Sequence, residues 1–323
     1  MNDVIIERHR TGEDLTAALR RDVREGLSAP QKWLPATWFY DARGSELFEQ
    51  ITALPEYYPT RAEREVLLRE SPAIAAATGA RTLVELGAGS SEKTRALLDA
   101  LRSAGTLTGF VPQDVSASAL TGAAEAIAAD YPDLVVHGVV GDFTVNLGEL
   151  PGTSPRLVAF LGGTIGNFPP AERAAFLRSV REVLKPGEWL LLGTDLVKDP
   201  ATLVAAYDDA RGVTAEFNRN VLTVLNARLG ADADPADFDH VAAWDAEHEW
   251  IEMRLRARRD LVVHVPGAGL DVEFRAGEHL RTEVSAKFRP DGVRGELADA
   301  GFALDHWWTD EQDRFGVSLA RAG

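Results

Sequence analysis

The chain reads as an α/β protein: a doubly wound, largely parallel sheet of seven strands, with a second, smaller α+β module inserted late in the sequence. Three observations lead there. From about residue 61, short apolar runs alternate with helix-length amphipathic segments, the rhythm of βαβ units. A Gly-x-Gly turn joins the first of those runs to its helix. After Asp195 the runs become alternating and half apolar, as in strands with one wet face.

Taken in order, residues from about Asp14 to Leu27 have helical spacing, and a Pro-punctuated, aromatic-rich stretch covers Ser28 to Thr60. A helix over 61–77 leads to strand Thr82–Leu86, the glycine turn and a helix over Glu92–Ser103. Strand Gly109–Gln113 precedes helix Ser118–Asp130, and strand Val135–Val140 ends at Gly141-Asp142-Phe143. Strand Leu157–Leu161 opens into a second Gly-rich loop and helix Ala171–Val183; Lys185-Pro186-Gly187 then turns into strand Trp189–Gly193. Beyond it, one long helical stretch is expected over about Ala201–Leu229, followed by strands near Trp250–Ala257, Leu270–Phe274 and Leu280–Phe288. Helix Gly292–Ala300 and two strands, around Ala303–Trp308 and Phe315–Ala320, complete the sheet, the last strand antiparallel. The expected organisation is therefore an N-terminal segment 1–60 on the substrate side, a core over 61–195, an inserted substrate-binding module over 196–286 and a return to the core over 287–323.

The 323 residues carry 34 basic and 50 acidic side chains, a formal net charge of −16. A phosphate backbone is repelled by that balance, and no Lys/Arg-rich block offsets it, so no nucleic-acid partner is expected. A small zwitterionic metabolite is compatible with it. The absence of cysteine excludes disulfides, thiolate nucleophiles and Cys-bound zinc. The seven histidines lack metal-ligand spacing, so no metal site is expected. The start MNDVIIERHR has no signal-peptide core and no apolar run is long enough to span a bilayer; the expected setting is the cytoplasm, away from membranes, with a monomer as the working expectation.

The chemistry concentrates at strand ends. In Glu85-Leu86-Gly87-Ala88-Gly89-Ser90-Ser91-Glu92-Lys93, glycines let the backbone approach a ligand and adopt positive φ. Several nucleotide-binding folds share such a turn, and three details choose among them. An acid, Glu85, precedes the glycines; Glu92 stands where a dinucleotide fingerprint needs its third glycine; and Asp114 ends the next strand, placed to accept from ribose hydroxyls. Asp142, at the end of the third strand, can accept from an adenine amino group, with the backbone of Phe143 beside it. Together these favour S-adenosylmethionine over a dinucleotide, and the order of units is similar to the seven-stranded sheet of class I methyltransferases. Asn167-Phe168-Pro169-Pro170 reverses the order of the Asn/Asp-Pro-Pro-aromatic motif of methyltransferases that act on bases or glutamine, and carries no weight.

Trp38-Phe39-Tyr40-Asp41-Ala42-Arg43-Gly44-Ser45-Glu46-Leu47-Phe48 and Leu54-Pro55-Glu56-Tyr57-Tyr58-Pro59-Thr60-Arg61-Ala62-Glu63 resemble the signature of histidine-specific N-methyltransferases of ergothioneine biosynthesis. The resemblance extends over nearly the whole chain, through Gly162-Gly163-Thr164-Ile165-Gly166-Asn167, Phe217-Asn218-Arg219-Asn220 and Thr282-Glu283-Val284-Ser285. It implies Nα-trimethylation of L-histidine to hercynine, with S-adenosylmethionine held by Tyr40, Gly87, Lys93, Asp114, Asp142 and Phe143. It also implies an amino-acid pocket of Tyr57, Asn167, Tyr207, Met253, Glu283 and Ser285.

Those pocket residues suit the chemistry independently. Glu283 and Ser285 lie two apart in a strand and so share a face, where a carboxylate beside a hydroxyl suits an imidazole. Met253 shares an apolar strand face with Ile251 and Leu255, and plain core is an equally good reading for it. No residue is singled out as a general base. Three alternatives stay open: a methyltransferase for another amino acid such as tryptophan, a nicotinamide-dependent oxidoreductase, and an inactive cofactor-binding partner subunit.

Overall fold

The computed structural model describes residues 4–8, 12–89, 91–141, 147 and 150–323. Its strands are β1 (Ile5–Arg8), β2 (Thr82–Leu86), β3 (Gly109–Asp114), β4 (Val135–Val140), β5 (Arg156–Phe160), β6 (Trp189–Asp195), β7 (Phe238–Asp245), β8 (Trp250–Ala257), β9 (Leu261–Val265), β10 (Leu270–Phe274), β11 (His279–Ala286), β12 (Phe302–Thr309) and β13 (Phe315–Ala322). Its helices are α1 (Gly12–Leu27), α2 (Ala42–Thr52), α3 (Pro59–Thr78), α4 (Arg95–Ser103), α5 (Ala117–Asp130), α6 (Pro170–Val183), α7 (Pro200–Tyr207), α8 (Val213–Leu229) and α9 (Pro290–Asp299).

Two compact units emerge. The first comprises Met1–His9, Pro59–Val197 and Lys287–Gly323. It is built on one sheet in the order β1-β4-β3-β2-β5-β6-β13-β12. Strands β1 to β6 pair in parallel, and β13 runs antiparallel to both β6 and β12. Every residue of β2, β5 and β6 is buried, as expected of strands covered by helices on both faces. From β2 the chain steps outward through β3 and β4, then returns to β5 on the other side of β2. That reversal is a topological switch point, where a crevice opens outside the carboxyl ends of the strands.

The second unit comprises Arg10–Tyr58 and Lys198–Ala286. Its three-stranded antiparallel sheet, β11-β8-β7, packs against α7 and α8, and β9 and β10 form a separate hairpin. Helix α2 lies along α8 and starts from Asp41, whose carboxylate accepts the Gly44 N–H at 2.8 Å and is held by Asn220 Nδ2 at 2.8 Å.

The doubly wound sheet with an antiparallel strand inserted near its end is the fold that the sequence predicts, with three differences. Ile5–Arg8, expected on the substrate side, forms an eighth strand beside β4; two successive isoleucines extend the backbone against an otherwise open sheet edge. The single helix expected over Ala201–Leu229 is two helices. Gly212 turns left-handed at φ +74°, and Asp209 accepts the Val213 and Thr214 N–H groups at 3.1 and 2.7 Å to start α8 afresh. The second unit also holds β7 and β9, which the sequence reading did not include; the Ala242-Ala243 pair in β7 dilutes its alternation.

Candidate active site

The carboxyl end of β2 feeds the glycine turn, where Gly87 and Gly89 adopt φ of +70° and +50°. The Gly87 and Ala88 N–H groups bond to the Gln113 carbonyl at 2.8 and 3.1 Å, which ties the turn to β3. A Cβ on Gly89 would meet nothing within 4 Å, so the glycine there faces open space and leaves its backbone approachable. Asp114, at the end of β3, accepts the Gly89 N–H through Oδ2 at 3.0 Å and the Ser116 N–H through Oδ1 at 2.8 Å. A carboxylate offers about four lone-pair sites, so Asp114 keeps acceptor capacity for ribose hydroxyls. Burial pushes the Asp114 carboxyl above its ordinary value, and the backbone donors Ser116, Gly89 and Val115 act against that shift.

Glu85 lies beneath the turn. Its buried carboxylate accepts from the Ser91 hydroxyl at 2.9 Å and from the Thr94 hydroxyl, which clamps the turn and the start of α4. Burial pushes the Glu85 carboxyl up to about 7, although Thr94, Ser91 and the nearby Lys93 pull it down. A carboxyl raised in the fold contributes stability below the unfolded value and loses it as pH climbs through the folded one. The wild-type melting temperature is therefore expected to fall between about pH 4.5 and about pH 7 relative to that of Glu85→Gln, whose amide does not ionise. Melting curves across that range check this; a difference that stays constant with pH contradicts it.

Lys93, just ahead of α4, is ion-paired with Glu63 from α3. The loop after β5 turns through Gly162 and Gly163, both at positive φ, into a short 3-10 turn over Thr164–Asn167 that ends with half-buried Asn167. Asp142 and Phe143 lie outside the described residues.

In the second unit, rings link several of the residues singled out in the sequence. Tyr40 packs edge-on to Phe48 at 5.7 Å, Phe48 to Tyr57 at 6.2 Å, and Tyr57 to Tyr207 at 6.2 Å. The Tyr207 hydroxyl shares a hydrogen bond with Ser285 Oγ at 2.7 Å. Ser285 is paired with Ile251, and Glu283 with Met253, across β11 and β8, so all four side chains project from one face. Met253 and Ser285 are buried and Glu283 is half-buried. A bulge at Thr282 shifts the register between Arg281 and Glu283.

A buried network sets this geometry, and the sequence reading gave His240, Asn218 and Thr282 no role in it. His240 on β7 meets the Tyr207 carbonyl through Nε2 at 2.8 Å, so that nitrogen carries the proton. Nδ1 then accepts from Asn218 Nδ2 at 2.8 Å, while Asn218 Oδ1 receives the Thr282 hydroxyl at 2.6 Å. The end of α7 and the bulge in β11 are thus held by one neutral imidazole, whose pKa burial lowers. The signal in the sequence was weak: Asn218 and Thr282 fall inside quoted motifs, but His240 stands alone in a strand without clear alternation.

Among the described residues no group of three His, Cys, Asp or Glu side chains is arranged to hold a metal ion, and no helix is long and apolar enough to cross a membrane.

The antiparallel strand between β6 and β12 matches the sheet of class I S-adenosylmethionine-dependent methyltransferases, and the missing third glycine sets the turn apart from the dinucleotide fingerprint. Residues 19–322 match the family model described as histidine-specific methyltransferase, SAM-dependent, and the chain belongs to that family. It is 58% identical over 303 residues to a histidine N-alpha-methyltransferase of Mycolicibacterium smegmatis, covering 94% of each chain. The corresponding enzyme of Mycobacterium tuberculosis is 56% identical over 310 residues, covering 96% of this chain and 97% of that one. Ergothioneine biosynthesis protein 1 of Neurospora crassa is 34% identical over 206 residues, 62% of this chain and 23% of that protein.

Proposed function

We propose that this protein methylates the α-amine of L-histidine three times to give hercynine, the first step of ergothioneine biosynthesis, acting as a cytoplasmic monomer. The observation that carries the substrate assignment is the shared face of β8 and β11. There a carboxylate, Glu283, stands two positions from a hydroxyl, Ser285, that is already fixed by Tyr207, with Met253 as the apolar wall. Imidazole presents one N–H donor and one acceptor, and this pair meets both; indole has no acceptor for the hydroxyl.

The residues of the first unit fit S-adenosylmethionine. The approachable Gly87–Gly89 backbone would border its amino-acid part, Lys93 would pair with its carboxylate, and Asp114 would receive its ribose hydroxyls. Asp142 and Phe143 are assigned to the adenine, and Tyr40 to a further contact with the same cofactor. When bound, it supplies an electrophilic sulfonium methyl that needs no further activation. The protein's task is alignment and a neutral amine. Asn167 can donate to the substrate carboxylate or accept from its amine, and the Tyr207 hydroxyl donates to Ser285 Oγ, which leaves the Ser285 proton for the imidazole acceptor. Tyr57 orients the amine lone pair while water takes the proton that must leave before each transfer.

The third transfer makes a fixed cation that can no longer donate hydrogen bonds. The Phe48 and Tyr57 rings, 6.2 Å apart, offer it aromatic faces, each worth roughly 0.5–2 kcal/mol. Phe48→Leu is therefore expected to slow the dimethyl-to-trimethyl step by roughly two- to thirtyfold while sparing the first transfer. Single-turnover runs started from dimethylhistidine measure it, and an unchanged last step removes Phe48 from the mechanism. The reading as a whole is tested by offering the enzyme a panel of amino acids with S-adenosylmethionine: histidine alone should be converted, and preferential methylation of tryptophan would replace the assignment.

A further inference from the structure

Glu63 is fully buried in α3, where its carboxylate is satisfied by two partners. Its two oxygens go to different parts of the site. Oε2 pairs with the Lys93 ammonium, and Oε1 accepts the Gly162 N–H at 2.7 Å. Gly162 begins the segment that ends at Asn167. That segment is stiffened by the Thr164 hydroxyl donating to the Leu161 carbonyl at 3.1 Å and by the Gly166 N–H donating to the Gly163 carbonyl at 2.9 Å. Strand β6 makes room for the carboxylate: a Cβ on Gly193 would stand 2.2 Å from Oε1. A neighbouring strand thus lacks a side chain where Glu63 needs the space.

We propose that Glu63 is a positioning residue shared by both ligands, holding Lys93 for the cofactor carboxylate through one oxygen and the Asn167 loop for the amino acid through the other. The inference rests on the assignments of Lys93 and Asn167 given above. It makes a prediction whose sign differs from simple electrostatics. Removing a negative charge beside Lys93 should, by Coulomb's law alone, tighten the grip on an anionic carboxylate. Lys93 sits on a flexible four-carbon stem with a quarter of its side chain exposed, and positioning predicts the reverse: an untethered ammonium must be ordered anew at each binding event.

Two substitutions separate the oxygens. Glu63→Gln keeps an acceptor for the Gly162 N–H and turns a donor toward Lys93; Glu63→Met matches the length and offers neither. Calorimetric titration with S-adenosylhomocysteine, and the KM for histidine at saturating S-adenosylmethionine, are read for both and for Lys93→Met. Lys93→Met and Glu63→Gln should each weaken the homocysteine adduct by on the order of tenfold, leave the histidine KM near wild type, and show no added loss when combined. Glu63→Met should in addition raise the histidine KM by on the order of tenfold. A merely structural role lowers kcat through the active fraction and moves neither constant. Glu63→Gln binding S-adenosylhomocysteine as tightly as wild type, or more tightly, overturns the proposal, as does Glu63→Met with an unchanged histidine KM. Lys93→Met at wild-type affinity would instead remove Lys93 from the cofactor site, and the proposal with it.

Discussion

Asp114→Ala is expected to weaken S-adenosylhomocysteine binding by about a hundredfold or more. A hydrogen bond to a charged acceptor contributes about 1.5–3 kcal/mol, and two ribose hydroxyls would donate to this one carboxylate. The same group pins the Gly89 N–H at 3.0 Å, so its loss also loosens the turn that the cofactor lies against. Asp114→Asn, which keeps one acceptor, should fall between wild type and alanine. Titration calorimetry measures all three, with melting curves to establish that each variant is folded. A folded alanine variant with undiminished affinity would place the ribose elsewhere.

Glu283→Ala should lower kcat/KM for histidine by about ten- to a hundredfold while leaving S-adenosylhomocysteine affinity unchanged. The expectation follows from the cost of a buried donor without a partner, about 1–3 kcal/mol, here the imidazole N–H. The neighbours of Glu283 define what replaces it. Met253 faces it across the strand pair and Ser285 is already bonded to Tyr207, so neither neighbour replaces the lost carboxylate. Steady-state kinetics on histidine test this directly. An unchanged kcat/KM means that the carboxylate does not touch the ring, and the specificity argument then loses its main support.

The core of the first unit was legible because its strands are short apolar runs bounded by turn residues, and burial on both faces demands that composition. The break in the α7–α8 region was not legible by periodicity. Asp208-Asp209-Ala210-Arg211-Gly212 is too short to interrupt a helical pattern, and only the capping by Asp209 and the left-handed Gly212 reveal it. That break matters for function, since it leaves Tyr207 at the end of α7, where its hydroxyl reaches Ser285.

The candidate site divides in the same way. Glycines and acids at strand ends were readable because a ligand crevice at a switch point draws its groups from those positions. Residues that act through others were harder to see. Glu63 shares a helix face with Pro59, Ala62, Val66 and Leu67, all buried, and a lone carboxylate at apolar spacing was the available signal. His240 gave none, because its role depends on the Tyr207 carbonyl 33 positions away in sequence.

The most direct measurement is mass spectrometry of L-histidine after incubation with the purified protein and S-adenosylmethionine. Histidine should gain three methyl groups, with fragmentation assigning all of them to the α-nitrogen and an unmodified imidazole. A histidine whose mass does not change, or one carrying a single methyl on the ring, would contradict Nα-trimethylation.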